Sequence, residues 1–303
     1  MIKGFLYGIA TSVTFGLIPL FTLPLMARGM HFESILFYRF VLATLALGVM
    51  MKLKGESFRV GRADLPFFLL LGFFYTCSAM FLFWGYDFMG AGVATTLHFT
   101  YPVFVTLLML CFFRERTSWI TLLAIMLAIA GVARLSISGD IHFSALGVVI
   151  VLLSAVAYAS YIVVVNKSRV RTMDGRKLAF YVFVVSTILF GLRASTHLGI
   201  QPIPDGMSVL NLFLLAVLPT VISNITLVLA VRRIGGTLTS VLGAMEPLTA
   251  VCIGVFVFSE PFTSSEALGM SLIIVAVTLI ILSRSIRQGI SLLGRKLRGM
   301  RRA

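Results

Sequence analysis

The sequence predicts an all-α integral membrane protein of ten transmembrane helices, arranged as two inverted five-helix repeats. Three observations lead there. The 303 residues are 59% hydrophobic and only 12% charged, against about 45–50% and about 25% in soluble domains. The apolar residues fall into ten stretches of near-spanning length. And the chain repeats itself at a spacing of 145 residues.

The ten stretches run over 4–26, 34–51, 65–86, 91–113, 118–137, 144–165, 178–198, 208–231, 237–258 and 265–283. A hydrocarbon core about 30 Å thick requires about 20 helical residues. Lipid offers the backbone no hydrogen-bond partners, so a helix is the only spanning form at this length. The mean hydropathy of +1.05 agrees. The first stretch is too long for the apolar core of a signal peptide and lacks a small-x-small cleavage site, so it counts as a span. Cys77, Cys111 and Cys252 all lie in apolar stretches without metal-ligand spacing and read as packing residues. No P-loop, dinucleotide fingerprint or HExxH pattern occurs. Asn224-Ile225-Thr226 matches a glycosylation pattern by chance, inside a span.

The net charge of +14 is a topology signal. Threading the chain through ten spans puts 21 of the 25 basic residues on the side of the N-terminus. The other side receives Arg28, Arg134 and Arg193, and Arg39 lies within a span. The positive-inside rule then puts both termini in the cytoplasm of a cell whose inner membrane the protein crosses many times. A miscounted span would scramble this split. The basic tail, residues 285–303, suits anionic lipid as an amphipathic helix. Membrane lipids are therefore expected partners and nucleic acid is not.

The repeat is clearest where LHFTYPVFVTLLMLCFFRE, 97–115, meets LGAMEPLTAVCIGVFVFSE, 242–260. Leu97, Pro102, Phe113 and Glu115 recur as Leu242, Pro247, Phe258 and Glu260. At a spacing of 143, Phe37-Tyr38-Arg39-Phe40 recurs as Phe180-Tyr181-Val182-Phe183. Five spans per half is an odd number, so the second half enters from the opposite side. Glu115 then ends its span in the cytoplasm between Arg114 and Arg116, and Glu260 ends outside between Ser259 and Pro261. The expected division is a first repeat over 1–137, a second over 138–284, and the tail.

Ten spans in two halves, with a proline followed 13 residues later by a glutamate in each, resemble the EamA-type branch of the drug/metabolite transporter superfamily. The resemblance covers nearly the whole chain. It implies a helical bundle around a central cavity lined by stretches 1, 3, 4, 6, 8 and 9, with 5 and 10 peripheral. It also implies export of small metabolites such as amino acids. Two departures are FFRERTS at 112–118, where leucine and glycine often precede the glutamate, and Phe15-Gly16, where tryptophan-glycine is common.

Polar residues point to a cavity independently. The fifth and tenth stretches are nearly free of them, whereas the third, fourth, sixth, eighth and ninth carry clusters. A single Ser or Thr usually bonds its own helix or glues two helices; the concentration on five stretches is what argues for a lining. The candidate substrate-binding residues are Tyr75, Ser78, Thr95, His98, Tyr101, Tyr158, Tyr161, Asn224, Ser240 and Glu246. Gly90, Gly92, Gly235 and Gly236 open the fourth and ninth stretches and allow close helix approach.

Glu246 lies roughly 13 Å into its span at about 1.5 Å per residue. An ionised carboxylate at that depth costs about 2.5–3.5 kcal/mol or more unless paired or wetted. Pro247 has no N–H, so the carbonyl of Gly243 is expected to lose its helical partner; Pro102 marks the equivalent break. Glu246 is the proton-coupling candidate, or a site for a substrate ammonium; the structural alternative is a glutamate that supports the proline break. His98 shares a face with Tyr101, the counterpart of Glu246. Arg39 is expected to snorkel outward or pair with Asp87, the alternative being a grip on a substrate carboxylate. Glu115 and Glu260 are expected to bond the starts of the next helices, at Ser118 or Thr263, as structural or gating contacts.

The functional expectation is a secondary active exporter of a small metabolite, a monomer or homodimer without cofactor, metal or catalytic residues. Alternatives are an uptake carrier or facilitator, a membrane scaffold without an accessible cavity, and a lipid-modifying enzyme, for which no catalytic cluster is seen.

Overall fold

The computed structural model describes residues 2–114, 118–137, 145–197 and 199–300, with side chains except at 135–137, 197, 232, 235–238, 240, 241 and 284–300. Glu115 and the Ser240 side chain therefore lie outside the described residues, as does the predicted boundary at 137/138 in part. Among the described residues there are helices and turns and no strands. Among the described residues eight spans are long and apolar enough to cross a membrane, and two shorter apolar helices cover Trp119–Arg134 and Met245–Phe258. The protein is a multi-pass membrane protein.

The first span is broken. Helix α1 (Ile2–Gly16) passes to α2 (Ile18–Ala27) at Leu17, because Pro19 near the start of α2 cannot donate to the preceding turn. After α3 (Phe32–Leu53) and α4 (Leu65–Gly85), the fourth span is broken too, into α5 (Ala91–His98) and α6 (Tyr101–Phe113) around Pro102. Then follow α7 (Trp119–Ile137), α8 (Ala145–Lys167), α9 (Gly175–His197), α10 (Gly206–Ala216), α11 (Ser223–Leu242), α12 (Met245–Phe258) and α13 (Ser264–Met300).

Between α10 and α11, residues Val217–Ile222 widen into a π-helical turn. Pro219 leaves the Leu215 carbonyl without its usual donor. The Thr220 hydroxyl fills the gap, donating to that carbonyl at 3.0 Å.

The neighbours of α1 trace the course of α11. Thr11 meets Ser223; Gly4 meets Arg233 and Ile234; Gly8 meets Leu242; Gly16 meets Glu246 and Thr249. These contacts run along α11 and on into α12, so α1 packs against both helices.

The halves pack in a pattern that survives their exchange. α1 lies on α11 as α8 lies on α4; α6 lies on α8 as α12 lies on α1; α3 pairs with α9 and α7 with α13. The caps repeat as well. Arg114 and Ser259, 145 residues apart, are the two non-glycine residues with positive φ among the described residues, at 51° and 54°. Each donates its N–H five residues back, to Met109 and Gly254. α7 and α13 form the periphery expected of the fifth and tenth stretches. They touch at Gly131, where a Cβ would meet the Gly269 carbonyl at 2.8 Å, and through the Thr121–Ser283 hydroxyl pair.

Charge sits at the two ends. Arg28–Asp205 and Arg193–Glu33 join helix ends on one face, and Arg169–Asp64 and Arg176–Glu56 on the other. Of these, Arg28–Asp205 is exposed on both sides, and a pair of that kind contributes about 0–1 kcal/mol.

Candidate functional site

A cavity of about 180 Å³ lies at the centre, bounded by α1, α3, α4, the α5–α6 break, α8, α11 and the α11–α12 break. α4 supplies Tyr75, Ser78, Ala79, Leu82 and Phe83, the i, i+3, i+4, i+7 face of a helix. α1 supplies Thr11, Ser12 and Phe15, whose polar members are tied to carbonyls: Thr11 donates to Ser223 at 2.7 Å and Ser12 to Gly8 at 3.0 Å.

One wall is aromatic. Tyr101 stands edge-on to Tyr158 with ring centroids 4.8 Å apart, Tyr158 stacks on Tyr161 at 5.8 Å, and Tyr75 meets both Tyr158 and Tyr161. His98 is packed between Tyr101 and Tyr158. Its Nδ1 is 2.9 Å from the Ser154 hydroxyl, which itself donates to the Ser78 carbonyl at 2.7 Å. Ser154 has one proton and has given it away, so it can only accept from His98. Neutral His98 therefore carries its proton on Nδ1, and Nε2 is the acceptor.

Glu246 opens α12 from the other side. Its carboxylate has no hydrogen bond or ion pair among the described residues, and it borders the cavity. Gly16 makes room for it: a Cβ there would come within 2.7 Å of the Glu246 carbonyl and 2.5 Å of Thr249. The expected free carbonyl is not present. Glu246 donates its N–H to Gly243 at 2.9 Å, closing a tighter turn in place of the bond lost to Pro247.

Arg39 corrects the sequence reading most. It neither snorkels nor pairs with Asp87, which is exposed. It is 3% exposed and lines the cavity. Its Nε donates to Thr220 at 2.9 Å, the residue that the π turn sets in place. Its guanidinium carbon lies 5.6 and 5.7 Å from the Phe40 and Phe83 ring centres.

Of the candidate residues, the fold gathers Tyr75, Ser78, His98, Tyr101, Tyr158 and Glu246 around the cavity. Tyr161 stands behind Tyr158. Thr95 and Asn224 do not reach the lining: Thr95 is buried 3.5 Å from the Tyr86 hydroxyl, and Asn224 donates to the Thr220 carbonyl at 2.5 Å. Glu260 bonds neither Ser118 nor Thr263. It crosses to the other half and accepts from the Ala91 N–H at 3.0 Å, at the start of α5. Glu266 takes the Thr263 role in a reciprocal cap. The lining residues missed in the sequence include Thr11, Ser12, Phe15 and Thr239; the adjacent Thr11-Ser12 pair in a mostly apolar first stretch was the available signal.

The fold is that of a multi-pass membrane protein with a cavity between its helices, bordered by a carboxylate that has no partner among the described residues. The EamA-like transporter family model matches residues 2–137 and again 145–282. The chain belongs to that family, and so to the drug/metabolite transporter superfamily. It is 25% identical over 214 residues to an uncharacterized transporter, sll1319, of Synechocystis sp., covering 69% of this chain and 64% of that relative's length. It is 26% identical over 247 residues to the uncharacterized transporter YdfC of Bacillus subtilis, covering 78% of each. A solved structure titled only as a protein superposes with a TM-score of 0.67 over 94% of this chain and 99% of its own, at 17% identity. That likeness supports the fold.

Proposed function

We propose that the protein is a secondary active exporter of small metabolites such as amino acids, working by alternating access with Glu246 as its proton-coupling carboxylate. The observation that carries this reading is Glu246 itself: a carboxylate at the edge of a central cavity, with no partner among the described residues. A charge kept unpaired at that depth is costly, and a group that binds and releases a proton or an ammonium during a cycle needs that freedom.

The exchangeable packing of the two halves supports inverted repeats of five spans, with the cavity at their seam. Rocking one half against the other around such a site is how alternating access works in inverted-repeat carriers. The basic residues support cytoplasmic termini in an inner membrane. The cavity itself speaks against a scaffold with a filled interior.

The test is uptake of a metabolite panel into inside-out vesicles, with and without a pH gradient, in matched cells with and without the protein. Accumulation that needs both the protein and the gradient supports the proposal. Equilibration unaffected by the gradient would replace it with a facilitator.

A further inference from the structure

We propose that Arg39 is the receptor for a carboxylate group of the transported molecule. The inference rests on the reading of the central cavity as the transport site, and narrows it to carboxylate-bearing substrates.

The argument begins with cost. A guanidinium stays charged at any accessible pH. Inside a membrane such groups are rare, and they normally pair with an acid. Arg39 is 3% exposed and forms no ion pair among the described residues. Among the described residues its Nε has a protein acceptor, the Thr220 hydroxyl, and the two terminal nitrogens have none. The residue lines the cavity. Phe40 and Phe83 hold the guanidinium by their ring faces, which fixes the group without neutralising it.

Its position is built rather than accidental. Nε is anchored by Thr220, Thr220 is anchored by the Leu215 carbonyl, and that carbonyl is free because of Pro219. Anchoring Nε orients the remaining fork. A fork of parallel N–H groups matches the two oxygens of a carboxylate. The repeat makes the same point: the residue 143 positions on is Val182, fully buried in the core. The second half keeps the surrounding Phe-Tyr-x-Phe without the cation, so the fold does not need an arginine at this place.

The test is thermal unfolding of the purified full-length protein in detergent, combined with vesicle transport. The probes are the common amino acids, their 2-oxo acids and short straight-chain carboxylates, each matched with its uncharged amide and the corresponding amine. Chloride is varied separately. At least one carboxylate should raise Tm and be transported, with its amide weaker by about tenfold to a hundredfold, the worth of a charge-assisted bidentate contact. Arg39→Lys should lose about tenfold, and Arg39→Gln the whole acid-over-amide preference. If Arg39→Gln does not fold, the acid-against-amide comparison on the unaltered protein still decides.

Equal binding of acids and amides, or stabilisation by amines and neutral molecules alone, overturns the proposal and leaves the exporter reading standing. So does stabilisation by chloride that matches the best carboxylate, which makes Arg39 the holder of an inorganic counter-ion. If nothing in the panel binds or moves, both readings fall.

Discussion

At Phe99–Thr100 α5 gives way to α6, and at Gly243–Ala244 α11 gives way to α12. Both breaks precede a proline, and both following helices end in a left-handed residue 145 positions apart. The backbone device is the same in the two halves, yet the chemistry is not. The first break presents His98 and Tyr101, packed into an aromatic wall, with His98 bonded to Ser154. The second presents Gly243 and Glu246, a carboxylate at the cavity edge with no partner among the described residues. Repetition supplies two matching breaks; divergence lines one with an aromatic wall and the other with a carboxylate.

The largest effect should come from the side chains on which the breaks differ. Glu246→Gln should reduce gradient-driven transport to background and flatten its pH profile, whereas Tyr101→Phe at the matching place should keep most of it; vesicle assays measure both. If the two variants behave alike, the breaks are functionally equivalent.

The next prediction concerns the contact between the broken spans. A Cβ at Gly92 would lie 2.7 Å from the Val251 Cα, so Gly92→Leu must push α5 from α12. It should destabilise by about 1–3 kcal/mol, as overpacking does. Gly206→Ala, with open space around it, should leave Tm unchanged.

Glu260 sharpens the comparison at the capped end, since it ties one half to the α5 start of the other. Glu260→Ala removes a charge-assisted bond from a half-buried site and should cost about 1–2 kcal/mol. Glu260→Gln should recover part of it, read in Tm. Ser154→Ala takes the acceptor from His98 and the donor from the Ser78 carbonyl, and should cost about 1 kcal/mol.

The smallest effect lies away from both breaks. The Ser208 N–H and hydroxyl hold the Asp205 carboxyl below the usual carboxylate range. Its folded-state value is depressed, so its stabilisation is present at neutral pH and is lost as pH falls through that value. Asp205→Ala should lower Tm slightly at neutral pH, with the difference closing in acid below about pH 4.

Much of this was legible in the chain because a membrane leaves few choices. Lipid forces apolar runs into helices, and Pro102 and Pro247 each remove a backbone donor within such a run, so the helical stretches and these two breaks could be read without coordinates. The sequence also marked Glu246, since an acid in an apolar run is costly anywhere. Depth and helix face were harder. Thr95 and Asn224 are as polar as Ser78, but their own helices turn them away from the cavity.

What the amino-acid sequence determined by itself was the set of spans, the repeat and the ionisable residues within the bilayer, because each follows from local composition and the solvent. Only the tertiary structure decided which of those residues share a space. Arg39 lies in α3 and its anchor Thr220 in the π turn between α10 and α11; Glu260 and Ala91 belong to opposite halves. Such pairs come together through helix packing across long stretches of chain, and no local pattern records which helices will meet.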